Sequence, residues 1–324
     1  MKKSFFSLFL VAALLLSACG GTKADSELDT ETQEVTETET SSRADKWETK
    51  EPETETSVST AEVIASHKDE YADTLYNVIV SLPAEKPESS LKQKDVDCDT
   101  LQWFNATYAS FTYGYGWDYH LIGGHTDEYD YVDSYVTDGL SQSWGITDRA
   151  SAIEVIARLA SGGHVPSYVE VIEMMGSLGM LDGTEDDLRA FITEIAEAEG
   201  WSLEDSEATI TFYVTMRNFH EACGENGIDA WDYCRIMQLC GSCYYAGFLT
   251  LEESLTIQLA TAQVIQDQFD SWDAMNTSYL QGYSYWAYGT NYSSSRTWSY
   301  QQLCEEEDCP YTVLDFNMPL EKFW

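Results

Sequence analysis

Residues 230–245 have the sequence AWDYCRIMQLCGSCYY, which predicts a helix with core-like residues on most of its surface. Asp232 and Arg235 are its only charged residues, and their spacing of three puts an acid and a base on one helix face. Because neighbours such as Trp231 and Ile236 are apolar, we expect neither charge to be freely solvated. Each must then be satisfied by the other or by a ligand, and a structural ion pair is the commoner arrangement.

The chain beyond residue 60 shows the same helical periodicity, and strand patterns are scarce. Thr147 is suited to cap a further helix, which the Gly162-Gly163 pair would end. Thr184 and Thr250 each open a Thr-x-x-acid capping box before an apolar-periodic run. The sequence therefore predicts a mainly α protein, with a single multi-helix domain over residues 61–324.

Charge and composition narrow the possible functions. The 324 residues include 17 Lys and Arg against 56 Asp and Glu, which gives a formal net charge of −39. Nucleic-acid binding needs clustered basic residues, so this balance excludes nucleic acid as a partner. It also disfavours docking of the folded surface on anionic lipid. With 44% hydrophobic residues, the chain still has ample material for a core.

The N-terminus resembles the signal peptide of a bacterial lipoprotein. Lys2 and Lys3 precede the apolar run 5–16, which has the length of a signal-peptide core. The following residues 16–20, LSACG, resemble a lipobox, and the resemblance implies cleavage after residue 18 and lipid attachment at Cys19. An ordinary secretory signal with an incidental cysteine is the alternative. We expect a signal peptide over 1–18 and a lipid-anchored chain on the extracytoplasmic side of the cell membrane.

A linker follows the lipidated cysteine, over residues 19–60. Between residues 20 and 60 the sequence has twelve acidic residues, four basic residues and ten threonines. Such a segment cannot bury enough apolar surface to offset its ordering entropy. We expect it to be a disordered tether, extended by charge repulsion.

Sequence motifs for catalysis, metals and cofactors are absent: there is no phosphate loop, no Gly-x-Ser-x-Gly elbow and no His-Glu-x-x-His helix. His120 and His125 lie near Asp118 and Asp127, which offers nitrogen and oxygen ligands. The intervening residues have the pattern of a turn with packing side chains. We therefore expect no metal and no cofactor, and the chain is more consistent with a binding protein than with an enzyme.

Seven cysteines remain after Cys19, an odd number for a compartment that permits disulfides. Cys304 and Cys309 flank an acidic loop that a disulfide could close. Cys240 and Cys243 have a redox-like spacing, but they fall inside a predicted helix. A structural bond and two buried thiols are the alternatives for that pair.

Several blocks of sequence resemble the bacterial domain-of-unknown-function family 1266. They are 144–149 (WGITDR) with Gly163-His164, 230–235 (AWDYCR), Ser271-Trp272 and, near the end, 309–311 (CPY). The likeness spans about residues 101–316. The resemblance implies a mainly helical domain and no particular activity.

The family blocks supply the candidate site residues. Asp148 and Arg149, like Asp232 and Arg235, are candidate ion pairs of structural or functional use. The candidate ligand-facing residues are Trp144, His164, Trp231 and Trp272. Our first hypothesis is a non-enzymatic domain that binds an envelope protein or a small ligand. The alternative is a cell-envelope hydrolase with a site near the two acid–base pairs.

We predict that Cys19 is the mature N-terminus and carries the lipid. Cys19→Ala should leave an unprocessed precursor, because alanine lacks the sulfur atom to which the lipid would be attached. Intact-mass analysis of the membrane fraction checks this prediction. An unmodified Cys19 in the wild type, or cleavage at another residue, would contradict it.

Overall fold

A computed structural model describes residues 74–96, 98–126, 132–287 and 295–324. The predicted signal peptide, Cys19 and the linker lie outside the described residues, as does Asp127 of the metal hypothesis. No described helix is long and apolar enough to cross a bilayer.

The described part of the chain is mainly helical and contains no strand, which confirms the predicted fold class. Residues 74–80 are helical, and 3-10 turns occupy Gln93–Asp95, Ile122–Gly124 and Gly224–Asn226. The remaining helices are α1 (Asp99–Thr107), α2 (Ala109–Gly114), α3 (Val132–Trp144), α4 (Arg149–Ala160), α5 (Val165–Ser177), α6 (Glu185–Glu199), α7 (Leu203–Cys223), α8 (Asp229–Tyr245), α9 (Leu251–Gln268), α10 (Trp272–Trp286), α11 (Ser295–Leu303) and α12 (Pro310–Val313).

Polar caps define where several helices begin. Thr184 and Thr250 accept hydrogen bonds from the backbone N–H groups of Asp187 and Glu253, so both predicted capping boxes are confirmed. The cap of α4 is Asp148, one residue later than the predicted Thr147. Its carboxylate accepts bonds from the backbone N–H and the hydroxyl of Ser151, and these bonds lower the pKa of Asp148. A carboxylate also suits the positive end of a helix better than a hydroxyl does.

The central element is α8, whose residues from Asp229 to Gly241 are all buried. It packs against α10, α9, α4, α3 and α1, so that most of the main core forms around one helix. A second apolar cluster joins α5, α6 and α7 beside it, with Tyr168, Met175 and Met216 at its centre. A helix that is surrounded by others must be apolar on all sides, so each polar residue of α8 needs a partner inside the protein.

Glycines allow the closest approaches to α8. Gly282 of α10 lies directly against Trp231, and a Cβ at Gly282 would collide with the Cβ of that tryptophan. Gly241 lies on α8 itself, and a Cβ there would be 2.9 Å from the backbone nitrogen of Gly123. The α8–α10 distance is therefore set by the absence of a side chain at residue 282.

We predict that Gly282→Ala destabilises the protein, because overpacking at a tight contact costs about 1–3 kcal/mol. The matched control is Gly176→Ala on α5, where a Cβ would meet only Leu181 at an ordinary 3.7 Å. The control should be neutral or slightly stabilising, since alanine favours helix by roughly 0.5–1 kcal/mol. Chemical denaturation measures both changes, and equal stability of the two variants would contradict the close α8–α10 contact.

Candidate functional site

A buried carboxylate on α8 binds the turn that follows α4. Asp232 accepts a hydrogen bond of 2.7 Å from the backbone N–H of His164, and its other oxygen lies 3.0 Å from His164 Nδ1. The Asp232 side chain is 2% exposed and that of His164 is 17% exposed. Residues 68 positions apart in sequence are thereby joined through one carboxylate.

Glycine makes this contact possible. Gly163 has a φ of +48°, in the left-handed region, and a Cβ at this position would collide with the Asp232 carboxylate. The Gly162-Gly163 turn therefore ends α4 as the sequence predicts, and it also lets the His164 amide reach Asp232. Any larger residue at 163 would force these groups apart.

The Asp232 contact assigns the proton on the His164 ring. Nδ1 faces the Asp232 oxygen, which only accepts, at 3.0 Å and Arg235 Nη1, which only donates, at 3.3 Å. Because the carboxylate contact is the shorter and a lone pair facing a carboxylate is repelled, we place the proton of the neutral ring on Nδ1. Nε2 is then an acceptor, and among the described residues no hydrogen bond engages it. His164 therefore offers one oriented acceptor nitrogen.

Arg235 lies beside this pair and contacts two indole rings. Its Cζ is 4.1 Å from the centroid of Trp144 and 4.6 Å from that of Trp231, both within cation–π range. Its Nη1 is 3.3 Å from His164 Nδ1 and 4.0 Å from Asp232 Oδ1. The structure thus brings together five of the residues that the sequence singled out, from α3, α8 and the turn before α5.

A small cleft of about 50 Å³ adjoins Arg235. Its aromatic rim is partly exposed, so the cleft opens to solvent. It is lined by Phe111, Tyr115, Ser143, Trp144, Trp231, Arg235, Gln238, Tyr279, Tyr283, Trp286 and Arg296.

Arg296 is a second cleft arginine, and the sequence analysis missed it. It is 6% exposed, and its Cζ lies 4.7 Å from the ring of Phe111 and 5.4 Å from that of Tyr283. One signal was available: Arg296 is the only basic residue between Arg235 and Lys322, and it stands among tyrosines and tryptophans.

Among the cleft-lining residues, a tryptophan and a serine each have a buried polar atom without a hydrogen-bond partner in the described part of the chain. They are Nε1 of Trp231 and Oγ of Ser143, on residues that are 5% and 2% exposed. Burying a hydrogen-bonding group without a partner costs roughly 1–3 kcal/mol. Other such atoms lie elsewhere in the described core, so it is the position of these two on residues that line one cleft that favours a site where something else supplies the partner.

Asp148 and Arg149 lie at a different place and do not pair with each other. Asp148 caps α4, whereas Arg149 forms two hydrogen bonds of 2.9 and 2.8 Å with the buried Glu253 carboxylate. The Arg149 guanidinium also donates to the backbone carbonyls of Pro83 and Phe248. This network joins α4 to the start of α9 and to the segment before α1. The charge of Arg149 therefore serves to hold these segments together.

Trp272 is a core residue. Its ring packs 5.0 Å from those of Trp103 and Phe316, and its Nε1 donates to the carbonyl of Leu314. It is not among the residues that line the cleft.

Among the described residues, no group of three or more His, Cys, Asp or Glu side chains is placed to hold a metal ion. His120 contacts Asp308 at 3.0 Å, at the exposed acidic loop between Cys304 and Cys309. Cys240 and Cys243 are free thiols in the core, where burial raises the pKa of Cys243 to about 12. A high thiol pKa suppresses the thiolate, so this pair is unsuited to redox exchange.

The fold and the cleft define an all-helical domain with an arginine- and aromatic-lined recess. Residues 139–316 match the family described as "Protein of unknown function (DUF1266)", and the chain belongs to this family. The match ends where the resemblance in the sequence ends, but it begins at residue 139 rather than near residue 101.

Two curated relatives come from Escherichia coli (strain K12). The chain is similar to "Uncharacterized protein YbeR", with 28% identity, and to "Uncharacterized protein YbeU", with 29% identity. Each alignment covers 147 residues, which is 45% of this chain and 56% of the relative. The chain thus spans about half the length of these relatives. No solved structure matches it.

We predict that Asp232→Ala costs about 3–5 kcal/mol of unfolding free energy, because it leaves the His164 amide without its buried acceptor and removes the carboxylate that lies 4.0 Å from Arg235. Asp267→Ala, at an exposed position of α9, is the control and should change stability by no more than about 0.5 kcal/mol. Urea denaturation of both variants measures the difference. A loss at Asp232 as small as that at Asp267 would show that the buried contact is not structural.

Proposed function

We propose that the chain is a lipid-anchored protein on the extracytoplasmic side of a bacterial membrane, and that its helical domain binds a small ligand group without transforming it. The lipobox-like residues 16–20 and the acidic linker support the anchoring. The cleft beside Arg235 supports the binding. Envelope proteins and small molecules are both possible sources of the bound group, and nucleic acid is not, given the charge of −39.

The observation that carries the binding proposal is the pair of unpartnered buried atoms, Trp231 Nε1 and Ser143 Oγ. Both belong to residues that line one cleft, together with two arginines. Ligand sites characteristically combine aromatic walls with a few convergent polar groups, and this cleft has that composition. Both atoms are shielded from solvent in the described structure, so a bound group would provide their hydrogen-bond partners by opening the cleft wall beside them.

Hydrolysis is the second candidate function, and the Asp232–His164 pair favours it. A carboxylate that holds Nδ1–H leaves Nε2 as a base, the arrangement that activates water or a hydroxyl group in many hydrolases. Asp148 and Arg149 take no part in it, since both are engaged elsewhere. The candidate hydrolytic site is therefore His164, Asp232 and Arg235.

Indole N–H resonances test the binding function. The probes are acetate, acetamide, inorganic phosphate, methylammonium and glycerol, used up to roughly tens of millimolar because ligands of about four heavy atoms bind weakly. We expect at least one probe to shift the Trp231 resonance saturably, with Trp231→Phe providing the assignment. The resonance of the Trp272 indole, whose N–H donates to the Leu314 carbonyl, should not shift. A Trp231 resonance unaffected by every probe would contradict the proposal.

The hydrolase candidate has a separate test. Wild type and His164→Gln are compared on p-nitrophenyl esters, with Asp267→Ala as the control. We expect no turnover above the buffer rate for any of the three. Turnover that His164→Gln abolishes, and that Asp267→Ala retains, would replace binding by hydrolysis as the leading function.

A further inference from the structure

We infer that Cys304 and Cys309 are a site of oxidative modification and form a disulfide in the mature protein, with Cys304 reacting first and Cys309 closing the bond. The oxidant is a small or protein disulfide outside the cytoplasm, so the inference rests on the proposed extracytoplasmic location. Three observations carry it: the fold of the acidic loop, the contact between the two thiols and their unequal exposure.

The acidic loop between the two cysteines folds back on itself. Helix α11 ends at Leu303, whose carbonyl accepts a hydrogen bond of 3.1 Å from the backbone N–H of Glu306. The carbonyl of Glu306 in turn accepts a bond of 3.3 Å from the N–H of Cys309. These consecutive turns return the chain to the end of α11, where Cys309 packs in one apolar cluster with Leu303. The backbone therefore brings positions 304 and 309 together.

The two thiols are in contact. Both residues are free cysteines in the structure, and the side chain of Cys304 is within hydrogen-bonding distance of that of Cys309. The rings beside them show the same approach, since the centroids of Tyr300 and Tyr311 are 5.6 Å apart. A disulfide needs the two sulfur atoms to move from such a contact to about 2.05 Å, which rotation about side-chain bonds can supply.

Exposure assigns a different role to each thiol. Cys304 is exposed, whereas Cys309 is buried, so an oxidant reaches Cys304 first. Burial raises the pKa of Cys309, while the backbone N–H groups of Tyr311 and Thr312 lower that pKa by donating to its sulfur. These donors stabilise the Cys309 thiolate, which is the species that must attack in the second step.

The reaction is a pair of thiol–disulfide exchanges. The Cys304 thiol loses its proton and attacks one sulfur of the oxidant, whose S–S bond breaks to give a mixed disulfide and one thiolate. Cys309 then loses its proton and attacks Sγ of Cys304, and the oxidant leaves as its second thiolate. Two electrons pass from the cysteines to the oxidant, which takes up the two protons and becomes a pair of thiols.

The other described cysteines are less suited to this reaction. Three lie in the core, where burial raises the pKa of each: Cys234, Cys240 and Cys243. Burial also raises the pKa of Cys223 to about 12. Cys98 is partly exposed and serves as the control below. The odd number of cysteines after Cys19 is then explained by one disulfide and five thiols.

The disulfide would hold the acidic loop where two tyrosines bind it. Tyr113 donates a hydrogen bond of 2.7 Å to Glu306, and Tyr119 donates one of 2.7 Å to Asp308. Both tyrosines belong to α2 or follow it closely, so the closed loop joins the end of α11 to this part of the chain. Closing the loop also removes conformational freedom from the unfolded chain.

Peptide mass tests the pairing on the purified full chain. The protein is equilibrated in glutathione buffer with an excess of the oxidised form, quenched with acid and alkylated with N-ethylmaleimide in denaturant. Trypsin then releases residues 297–322, which contain Cys304 and Cys309 and no other cysteine. We expect this peptide without an adduct and two hydrogen atoms lighter than its reduced form. Cys98→Ser should leave the result unchanged.

Variants with one of the two thiols test the roles. Cys309→Ser should hold Cys304 as a mixed disulfide with glutathione, because the thiol that closes the bond is missing. Cys304→Ser should leave Cys309 at least about tenfold slower to react, because Cys309 is buried. Equal rates in the two variants would overturn the assigned roles. If either variant fails to fold, the wild-type peptide still decides the pairing.

Urea denaturation measures what the disulfide contributes. The unfolding equilibrium constant of the wild type should be at least about tenfold lower without reductant than with it, because the closed loop restricts the unfolded chain. Cys304→Ser should abolish this difference. A difference that persists in Cys304→Ser would place the disulfide at other cysteines and overturn the pairing.

Cells expressing the full chain separate the pairing from the location. The cells are quenched with acid and alkylated before lysis, and residues 297–322 should again carry no adduct. Two adducts on the peptide from purified, oxidised protein would overturn the pairing and leave the proposed location standing. A disulfide in the purified protein but two adducts in cells would contradict the extracytoplasmic location, and with it the disulfide in the mature protein.

Discussion

The buried Asp232 carboxylate is the constraint on which the site depends. A carboxylate at 2% exposure is costly unless its oxygens are satisfied, and here both contact His164. This contact ties the central helix α8 to the turn after α4, and that turn requires glycine at position 163. The same carboxylate lies 4.0 Å from Nη1 of Arg235, the α8 arginine that lines the cleft.

Segments from beyond the family-matched residues complete the cleft. Phe111 and Tyr115 belong to α2 and the residue after it, and they precede the match that begins at residue 139. They contact Arg296 of α11, whereas Trp144, Trp231 and Arg235 lie inside the match. The DUF1266 domain thus supplies both arginines, and the preceding helices of this chain supply part of the wall around one of them.

The sequence predicts those features of the structure that depend on residues close together in the chain. Capping boxes at Thr184 and Thr250 predicted two helix starts because a cap depends on four adjacent residues. Residues 204–220 are a helical candidate, although their β-branched run 208–215 could compete as a strand, and the run is helical in α7, where packing on α6 and α5 outweighs propensity. The Asp232–His164 contact and the position of Arg296 depend on residues far apart in sequence, so no local pattern could predict them.

The tautomer of His164 tests the account most directly, because it depends on the one carboxylate that organises the site. Nitrogen-15 NMR of labelled histidine distinguishes a protonated ring nitrogen from an unprotonated one. For the neutral ring of His164 the account predicts a protonated Nδ1 and an unprotonated Nε2, reverting towards the solution mixture in Asp232→Ala. A neutral His164 with its proton on Nε2 in the wild type would contradict the buried contact, and with it the placement of Arg235 at the cleft.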